Sequence, residues 1–223
     1  MKSIFIGFDF SINKPACTIL YDKKFYHFIW PLQLDDKYVQ RYIQHNVYVR
    51  NRNLQPMSTK DKNSQIVLEH TKRSVDLANM IIADLDDFID NIICADKNTP
   101  IYVSSEGLSF GSKGNQTENL ATYKGVLLGK LYEHYYGRLY GLYTYAPISI
   151  KSTAKCAGKD KIKSKTAMIE SFMKETEVKN DFYAGLIKKE FKSRTAYIQC
   201  IDDIVDSYWA LVTMLKKEGF IKK

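Results

Sequence analysis

The sequence has few of the residues that build covalent frameworks or zinc sites. Its 223 residues include only four cysteines, at positions 17, 94, 156 and 200. They form no C-x-x-C pair, and no histidine lies near them at ligand spacing. A disulfide framework and a zinc site are therefore not expected, and reduced intracellular thiols fit the pattern better.

The sequence also lacks long apolar runs. No run of 18 or more apolar residues is present, so we expect no membrane-spanning helix and no membrane partner. The first residues, "MKSIFIGFDF", do not form a signal peptide because Asp9 interrupts the apolar stretch. We expect the protein to stay in the compartment where it is made.

Acidic residues are fewer than basic ones. Thirty-three lysines and arginines against 25 acids give a net charge of +8. An excess of this sign indicates a polyanionic partner rather than an acidic small substrate.

The hydrophobic pattern predicts strands first and helices later. "SIFIGFDFSI", "ACTILYD" and "KFYHFIW" read as an antiparallel meander of three strands. "TPIYVSSE" and "LYTYAPISI" read as further strands. Helices are predicted over 64–93, the stretch opened by Asn115, "KTAMIESFMKE", "DFYAGLIKKEFKS" and the stretch from residue 200 onward. This order predicts an α/β fold with a mixed sheet flanked by helices. We expect one domain over residues 1–223, with insertions near 31–65 and 176–199.

The helix opened by Asn115 carries a stripe of small residues, Ala121, Gly125 and Gly129. Such a stripe predicts that another element packs very close to it.

The last predicted helix, "CIDDIVDSYWALVTML", begins with Asp202, Asp203 and Asp206. Acids are favoured at a helix N-terminus by the macrodipole, and an acidic face turned to solvent would explain this helix by itself. Further carboxylates without a structural reason would change that interpretation.

Asp9 and Glu106 are two such carboxylates. Asp9 lies within a strand between Phe8 and Phe10, where a buried charge is costly unless it is paired or binds a metal. Glu106 ends a later strand at a glycine-rich loop. Two alternatives remain open. In one, Asp9 caps a turn with Ser11 or Asn13, and in the other, Glu106 is an ordinary loop acid.

Gathered carboxylates repel one another, so a cation is the natural reason to bring these acids together. Oxygen ligands without Cys or His suit Mg²⁺, with Mn²⁺ as a substitute, rather than zinc. Two such ions can drive hydrolysis of a phosphodiester.

A lysine-rich stretch, "KSTAKCAGKDKIKSK" at 151–165, follows the fifth predicted strand. Its cations are Lys151, Lys155, Lys159, Lys161, Lys163 and Lys165. A solvated loop is the alternative reading. Lys163 and Lys165, however, stand at a helix N-terminus, where a cation is unfavourable by about 0.3–1 kcal/mol unless it faces an anion such as phosphate.

The order of five motifs, "IGFDFS", "IYVSSEGLSFG", "ENLATYKGVLLGKL", "YAPISIKSTAKCAGKDKIKSK" and "DDIVDSYWAL", resembles the RuvC family of Holliday junction resolvases. The resemblance covers residues 4 to 215 and implies an RNase H-like fold. It also implies a Mg²⁺-dependent endonuclease that acts as a homodimer on branched DNA such as the four-way junction.

The resemblance also implies roles for individual residues. The metal-binding and catalytic acids are Asp9, Glu106, Asp203 and Asp206, and Lys151 and Lys165 contact the scissile phosphate. We expect DNA contacts from the lysines of 151–165 and, in the loop after Glu106, from Lys113 and Phe110. The helix of Gly125 and Gly129 lies in the region of the family's dimer contacts.

The sequence departs from the family in several ways. Phe110 lies four residues after Glu106, where the family places an aromatic wedge three residues on. The longer 31–65 region offers further DNA contacts through Arg41, Arg50, Arg52, Tyr38, Tyr42 and Tyr48. A bias toward lysine, asparagine and isoleucine suggests an AT-rich genome such as that of a phage or virus. We therefore expect a cytoplasmic protein, bacterial or in a virus-infected cell, with a looser branched-DNA preference.

Two other functions compete with this interpretation. A catalytically inactive branched-DNA-binding module of the same fold is the main alternative, although the presence of all four acids argues against it. An actin-like phosphotransferase is disfavoured because 223 residues are too few for two lobes and no glycine follows Asp9 at the expected offset.

Overall fold

The structure is a computed structural model that describes residues 2–52, 63–108, 115–156, 161–175 and 200–221. For residues 63–66, 115–116 and 161–164 it describes the backbone alone.

One six-stranded mixed sheet organises the chain. Its strands are β1 Ile4–Asp9, β2 Ala16–Tyr21, β3 Lys24–Ile29, β4 Val47–Val49, β5 Ile101–Glu106 and β6 Leu139–Tyr145. They are ordered β4-β3-β2-β1-β5-β6. The first three strands pair antiparallel, whereas β1 with β5, β5 with β6, and β3 with β4 pair parallel.

Helices cover both faces of this sheet. They are α1 Asp36–Gln44, α2 Asn63–Asp87, which continues into a π-helical turn Phe88–Ile92, α3 Asn115–His134, α4 Pro147–Thr153, α5 Lys161–Lys174 and α6 Ile201–Lys217. The predicted α/β fold, a mixed sheet with an antiparallel meander and parallel strands flanked by helices, is confirmed.

The alternation of β1 separates two hydrophobic cores. Ile4, Ile6 and Phe8 point to a core formed with α2 and α3, because successive side chains of a strand point to opposite faces. Phe5 points to the other core, which contains α6. Gly7 and Asp9 share the face of Phe5, so Asp9 lies on the α6 side of the sheet.

Helix α6 packs unusually close to the middle of the sheet. A Cβ added at Gly7 would lie 2.3 Å from the Ser207 carbonyl oxygen. Ser207 Oγ shares a 2.8 Å hydrogen bond with Thr18 Oγ1 of β2, and Ser104 Oγ of β5 donates to the Ala210 carbonyl oxygen at 3.1 Å. Only glycine permits this approach at β1.

The direction of α6 follows from the contacts at its two ends. Phe220, beyond its C-terminus, packs on Phe5 and Tyr102 near the starts of β1 and β5. Since Ser207 and Ala210 lie over the middles of these strands, the N-terminal turns of α6 lie at the ends where β1 and β5 finish.

Two predicted segments differ in the structure. "PISI" was expected to continue a strand, but α4 begins at Pro147, in the first turn where proline is well tolerated. The 31–65 region, in which the sequence shows no clear period, contains α1 and the edge strand β4. The helix expected around "DFYAGLIKKEFKS" lies outside the described residues.

Among the described residues, no element packs against the small-residue stripe of α3, so the predicted close packing is not found in this part of the chain. An added Cβ at Gly125 or Gly129 would have no described atom within 4 Å. The opposite side of α3 carries the buried residues Tyr123, Leu127 and Leu131. In the described part of the chain, no helix is both long and apolar enough to cross a membrane.

Candidate metal and nucleic-acid site

Asp9 and Glu106 end adjacent parallel strands. Phe8 of β1 is in register with Ser105 of β5, so Asp9 and Glu106 are the next residues along the two strands. Paired strands lie about 4.8 Å apart, and residues in parallel register point to the same face. Both carboxylates therefore stand at the carboxyl edge of the sheet on the α6 side.

Asp203 and Asp206 reach the same edge from α6. They are three residues apart in the helix, which places their side chains one turn apart on one side. Although acidic residues opening this helix fit a solvated face, α6 is buried on nearly every side from Ser207 to Leu215. Its acids are turned toward the ends of β1 and β5.

The charges of these acids act on one another across the edge of the sheet. Burial raises the pKa of Asp9 well above its usual value, and the charges of Asp206, Asp203 and Glu106 raise it further. Burial and then Glu106 raise the pKa of Asp206 in the same way. Burial followed by the charge of Asp202 raises the pKa of Asp203 to about 7. Neighbouring carboxylates thus make ionisation of Asp9, Asp203 and Asp206 more costly.

The donor set fits a hard divalent cation in chemistry. All candidate ligands are carboxylate oxygens, which Mg²⁺ and Mn²⁺ prefer. The Oδ2 atom of Asp203 is buried and has no hydrogen-bond partner among the described residues, so it is available to a ligand. As they stand, no three acidic, His or Cys side chains in the described ranges are arranged closely enough to hold an ion.

Two of the predicted lysines lie beside the acids. Lys165 Nζ donates to Asp202 Oδ2 at 2.6 Å, and its charge lowers the pKa of Asp9, Glu106, Asp203 and Asp206. Lys151, in α4, is the charge that most lowers the pKa of Glu106, although burial leaves that pKa above its usual value. Cations therefore border the acidic edge.

Sequence reasoning missed two residues of this site, Lys124 and Lys14, and gave a third, Asp202, no role in it. Lys124 of α3 donates to the main-chain carbonyl oxygen of Glu106. Lys14, in the β1–β2 loop, lowers the pKa of Asp203, and Asp202 holds Lys165. A signal existed for Lys124, since it shares a helical face with Leu127 and Leu131, where a lysine is unexpected.

The remaining predicted DNA contacts are placed only in part. Lys155 follows α4 on the surface, with a left-handed φ of 58°. Lys161 and Lys163 belong to the first turn of α5, where the structure describes the backbone alone. Lys159, Lys113 and Phe110 lie outside the described residues.

Two of the arginines and tyrosines of the 31–65 region, Arg52 and Tyr42, are buried in the fold. Arg52 is buried and donates to the carbonyl oxygens of Trp30 and Ile12. Tyr42 is fully buried, and Arg50 forms an ion pair with Asp84. The DNA contacts expected from Arg52 and Tyr42 are therefore wrong, because neither side chain reaches the surface.

Comparisons with known proteins find similarity in structure but no match in sequence. No protein-family model and no curated protein matches the sequence. The chain is similar in structure to Thermus thermophilus RuvC, with 13% identity over 97% of this chain and 96% of that one and a TM-score of 0.44. It is similar to T. thermophilus RuvC in complex with Holliday junction substrate at 12% identity, with the same coverage and TM-score.

Proposed function

We propose that the protein is a Mg²⁺-dependent, structure-selective endonuclease that cleaves Holliday junctions and related branched DNA by two-metal hydrolysis. The observation that carries this proposal is the convergence of Asp9, Glu106, Asp203 and Asp206, from three elements distant in sequence, at one lysine-bordered edge of the sheet. The order of motifs in the sequence supports the choice of substrate.

The side chains divide into two roles in this proposal. The four acids hold divalent ions, which when bound activate a water and stabilise the leaving oxygen. Lys165 and Lys151 hold the scissile phosphate over the acids and neutralise its charge. Lys165 is half exposed, so it can leave Asp202 for a phosphate.

The proposal includes a homodimer acting in the cytoplasm. A symmetric cut across a four-way junction needs two active sites, and the described residues of each chain form one acidic edge. The open stripe of Gly125 and Gly129 on α3 supports a face where a second copy packs closely.

Neutralising one acid tests the chemistry. We expect Asp9→Asn or Glu106→Gln to lower Mg²⁺-dependent cleavage of a synthetic four-way junction by roughly two orders of magnitude or more, with junction binding retained. Asp22→Asn, at an exposed acid paired with Lys2, is the matched control and should cut normally.

If the wild-type protein leaves the junction uncut, or if Asp9→Asn keeps full activity, the proposed catalytic site is refuted. A linear duplex of the same length tests selectivity, since equal cutting of both substrates would refute structure selectivity.

A catalytically inactive branched-DNA-binding module is the second candidate. It is favoured by one observation, that no three candidate ligands in the described part of the chain stand ready to hold an ion. Junction binding by the wild type that is unchanged by Mg²⁺, with no cleavage in Mg²⁺ or Mn²⁺, would favour this candidate.

A further inference from the structure

Lys124 is a buried lysine next to the acidic edge. Its residue is 7% exposed, on the side of α3 that packs against the sheet. Its ammonium group donates a hydrogen bond to the main-chain carbonyl oxygen of Glu106, and its charge lowers the pKa of the Glu106 carboxyl group. A lysine is almost never buried in this way unless charges of opposite sign compensate it.

The hydrogen bond alone does not require a lysine. The Glu106 carbonyl oxygen needs one donor, which a neutral side chain or a water molecule can provide. The other residues on this side of α3, such as Leu127 and Leu131, are apolar. The positive charge at position 124 therefore calls for an electrostatic explanation.

Lys124 differs from the other cations around Glu106. Lys165 is 53% exposed in its side chain, and Lys151 is partly exposed. An exposed lysine on a flexible stem can move to an incoming phosphate and is screened by salt. Lys124 has neither freedom, so its charge acts on the carboxylates whether or not DNA is bound.

We propose that Lys124 is a resident counter-cation of the acidic site, which compensates the carboxylates on the Glu106 side and weakens the binding of divalent cations there. This inference rests on the proposed function, because it concerns the affinity of the same site for metal. A fixed positive charge near the carboxylates repels an entering cation, and the repulsion is strong where water is excluded. Lys124 thus supplies, from within the protein, part of the positive charge that compensates the carboxylates.

The charge can be removed while the shape is kept. In Lys124→Met, a flexible apolar side chain of similar length replaces the lysine, and Lys124→Arg keeps the charge. Lys130→Met removes an exposed lysine from the same helix, where Lys130 pairs with Glu133, and is the matched control. Thermal denaturation of each variant shows whether it is folded.

The measurement is Mn²⁺ binding to the DNA-free protein, followed by electron paramagnetic resonance of free Mn²⁺. We expect the Mn²⁺ concentration at half-saturation to be roughly ten-fold or more lower for Lys124→Met than for the wild type. Lys124→Arg and Lys130→Met should bind Mn²⁺ as the wild type does. The Mg²⁺ concentration for half-maximal junction cleavage should fall in the same variant. A purely structural role predicts the opposite sign, since loosening the end of β5 weakens the site.

Each outcome is decisive. If folded Lys124→Met binds Mn²⁺ with the same midpoint as the wild type, or more weakly, the inference is overturned while the proposed function stands. A wild-type protein without saturable Mn²⁺ binding would overturn both. If Lys124→Met does not fold, Lys124→Gln takes its place with the same expected direction.

Discussion

At the scale of single residues, Asp203 shows how surroundings change the chemistry of a side chain. In the sequence it is one of two adjacent acids that open a helix. In the structure its Oδ2 atom is buried without a described partner, and burial together with Asp202 raises the pKa of Asp203 to about 7. The same aspartate thus changes from a helix-opening residue to a carboxyl group that takes up a proton in the absence of metal.

The raised pKa predicts how stability depends on pH. Between about pH 4 and pH 7 folded Asp203 holds a proton that the unfolded chain releases, so the free energy of unfolding decreases as pH rises through this window. The raised pKa values of Asp9 and Asp206 act in the same direction. Without metal, Asp203→Asn should lose less stability than the wild type over this range. At pH 7.5 its free energy of unfolding should exceed that of the wild type by on the order of a few kcal/mol.

Thermal denaturation between pH 4 and pH 8 in the presence of a chelator measures this difference. Excess Mn²⁺ should stabilise the wild type and have a smaller effect on Asp203→Asn, because binding to the folded state alone stabilises it. A less stable Asp203→Asn at pH 7.5 with chelator would contradict the assignment of Asp203 to a strained carboxylate cluster.

At the scale of elements, the contact between β1 and α6 sets the position of the acids. Asp9 follows Gly7 by two residues on the same face of β1, and Asp206 directly precedes Ser207, whose carbonyl oxygen lies over Gly7. The close approach at Gly7 therefore controls the distance between the acids of the strand and those of the helix.

Gly7→Ala tests this control. The added Cβ would lie 2.3 Å from the Ser207 carbonyl oxygen and 2.6 Å from the Leu211 amide nitrogen, so the helix backbone must move. We expect a loss of about 1–3 kcal/mol in the free energy of unfolding, as for other overpacked cores, together with reduced Mn²⁺ binding. Chemical denaturation and Mn²⁺ titration measure the two effects.

Gly137→Ala is the control, because no described atom lies within 4 Å of the Cβ that it adds. Wild-type stability in Gly7→Ala would show that α6 does not rest on β1 as the structure has it.

At the scale of the whole molecule, the sheet leaves α3 with one buried and one open face. The buried face carries Lys124 to the acidic edge, and the open face carries Gly125 and Gly129. In the proposed dimer we expect the two faces to have separate tasks: the buried face adjusts the site, and the open face meets the partner chain.

Gly125→Arg tests the open face. We expect the variant to be monomeric in analytical ultracentrifugation and to remain folded in thermal denaturation, because the Cβ added at this exposed position has no described atom within 4 Å. Gly137→Arg, beyond the end of α3, should remain dimeric. A dimeric Gly125→Arg would place the interface elsewhere, and a monomeric wild type would refute the homodimer.

Much of the fold was predictable because its elements have local signatures. The alternation in "SIFIGFDFSI" identified β1, and the helical period identified α2 and α6. The strand expected through "PISI" failed because the pattern of so short a stretch does not separate a strand from one turn of helix. The helix and strand within 31–52 were missed for a similar reason, since α1 and β4 are short.

The sequence by itself determined the kinds of chemistry available, namely carboxylates without structural reason, a lysine-rich segment and a mixed order of strands and helices. The tertiary structure alone decided which groups meet. Parallel pairing brings Asp9 beside Glu106, α6 turns Asp203 and Asp206 toward them, and α3 buries Lys124 below Glu106. The physical reason is that local periodicity depends on neighbours in the chain, whereas burial and charge coupling depend on residues that belong to different elements and are distant in the chain.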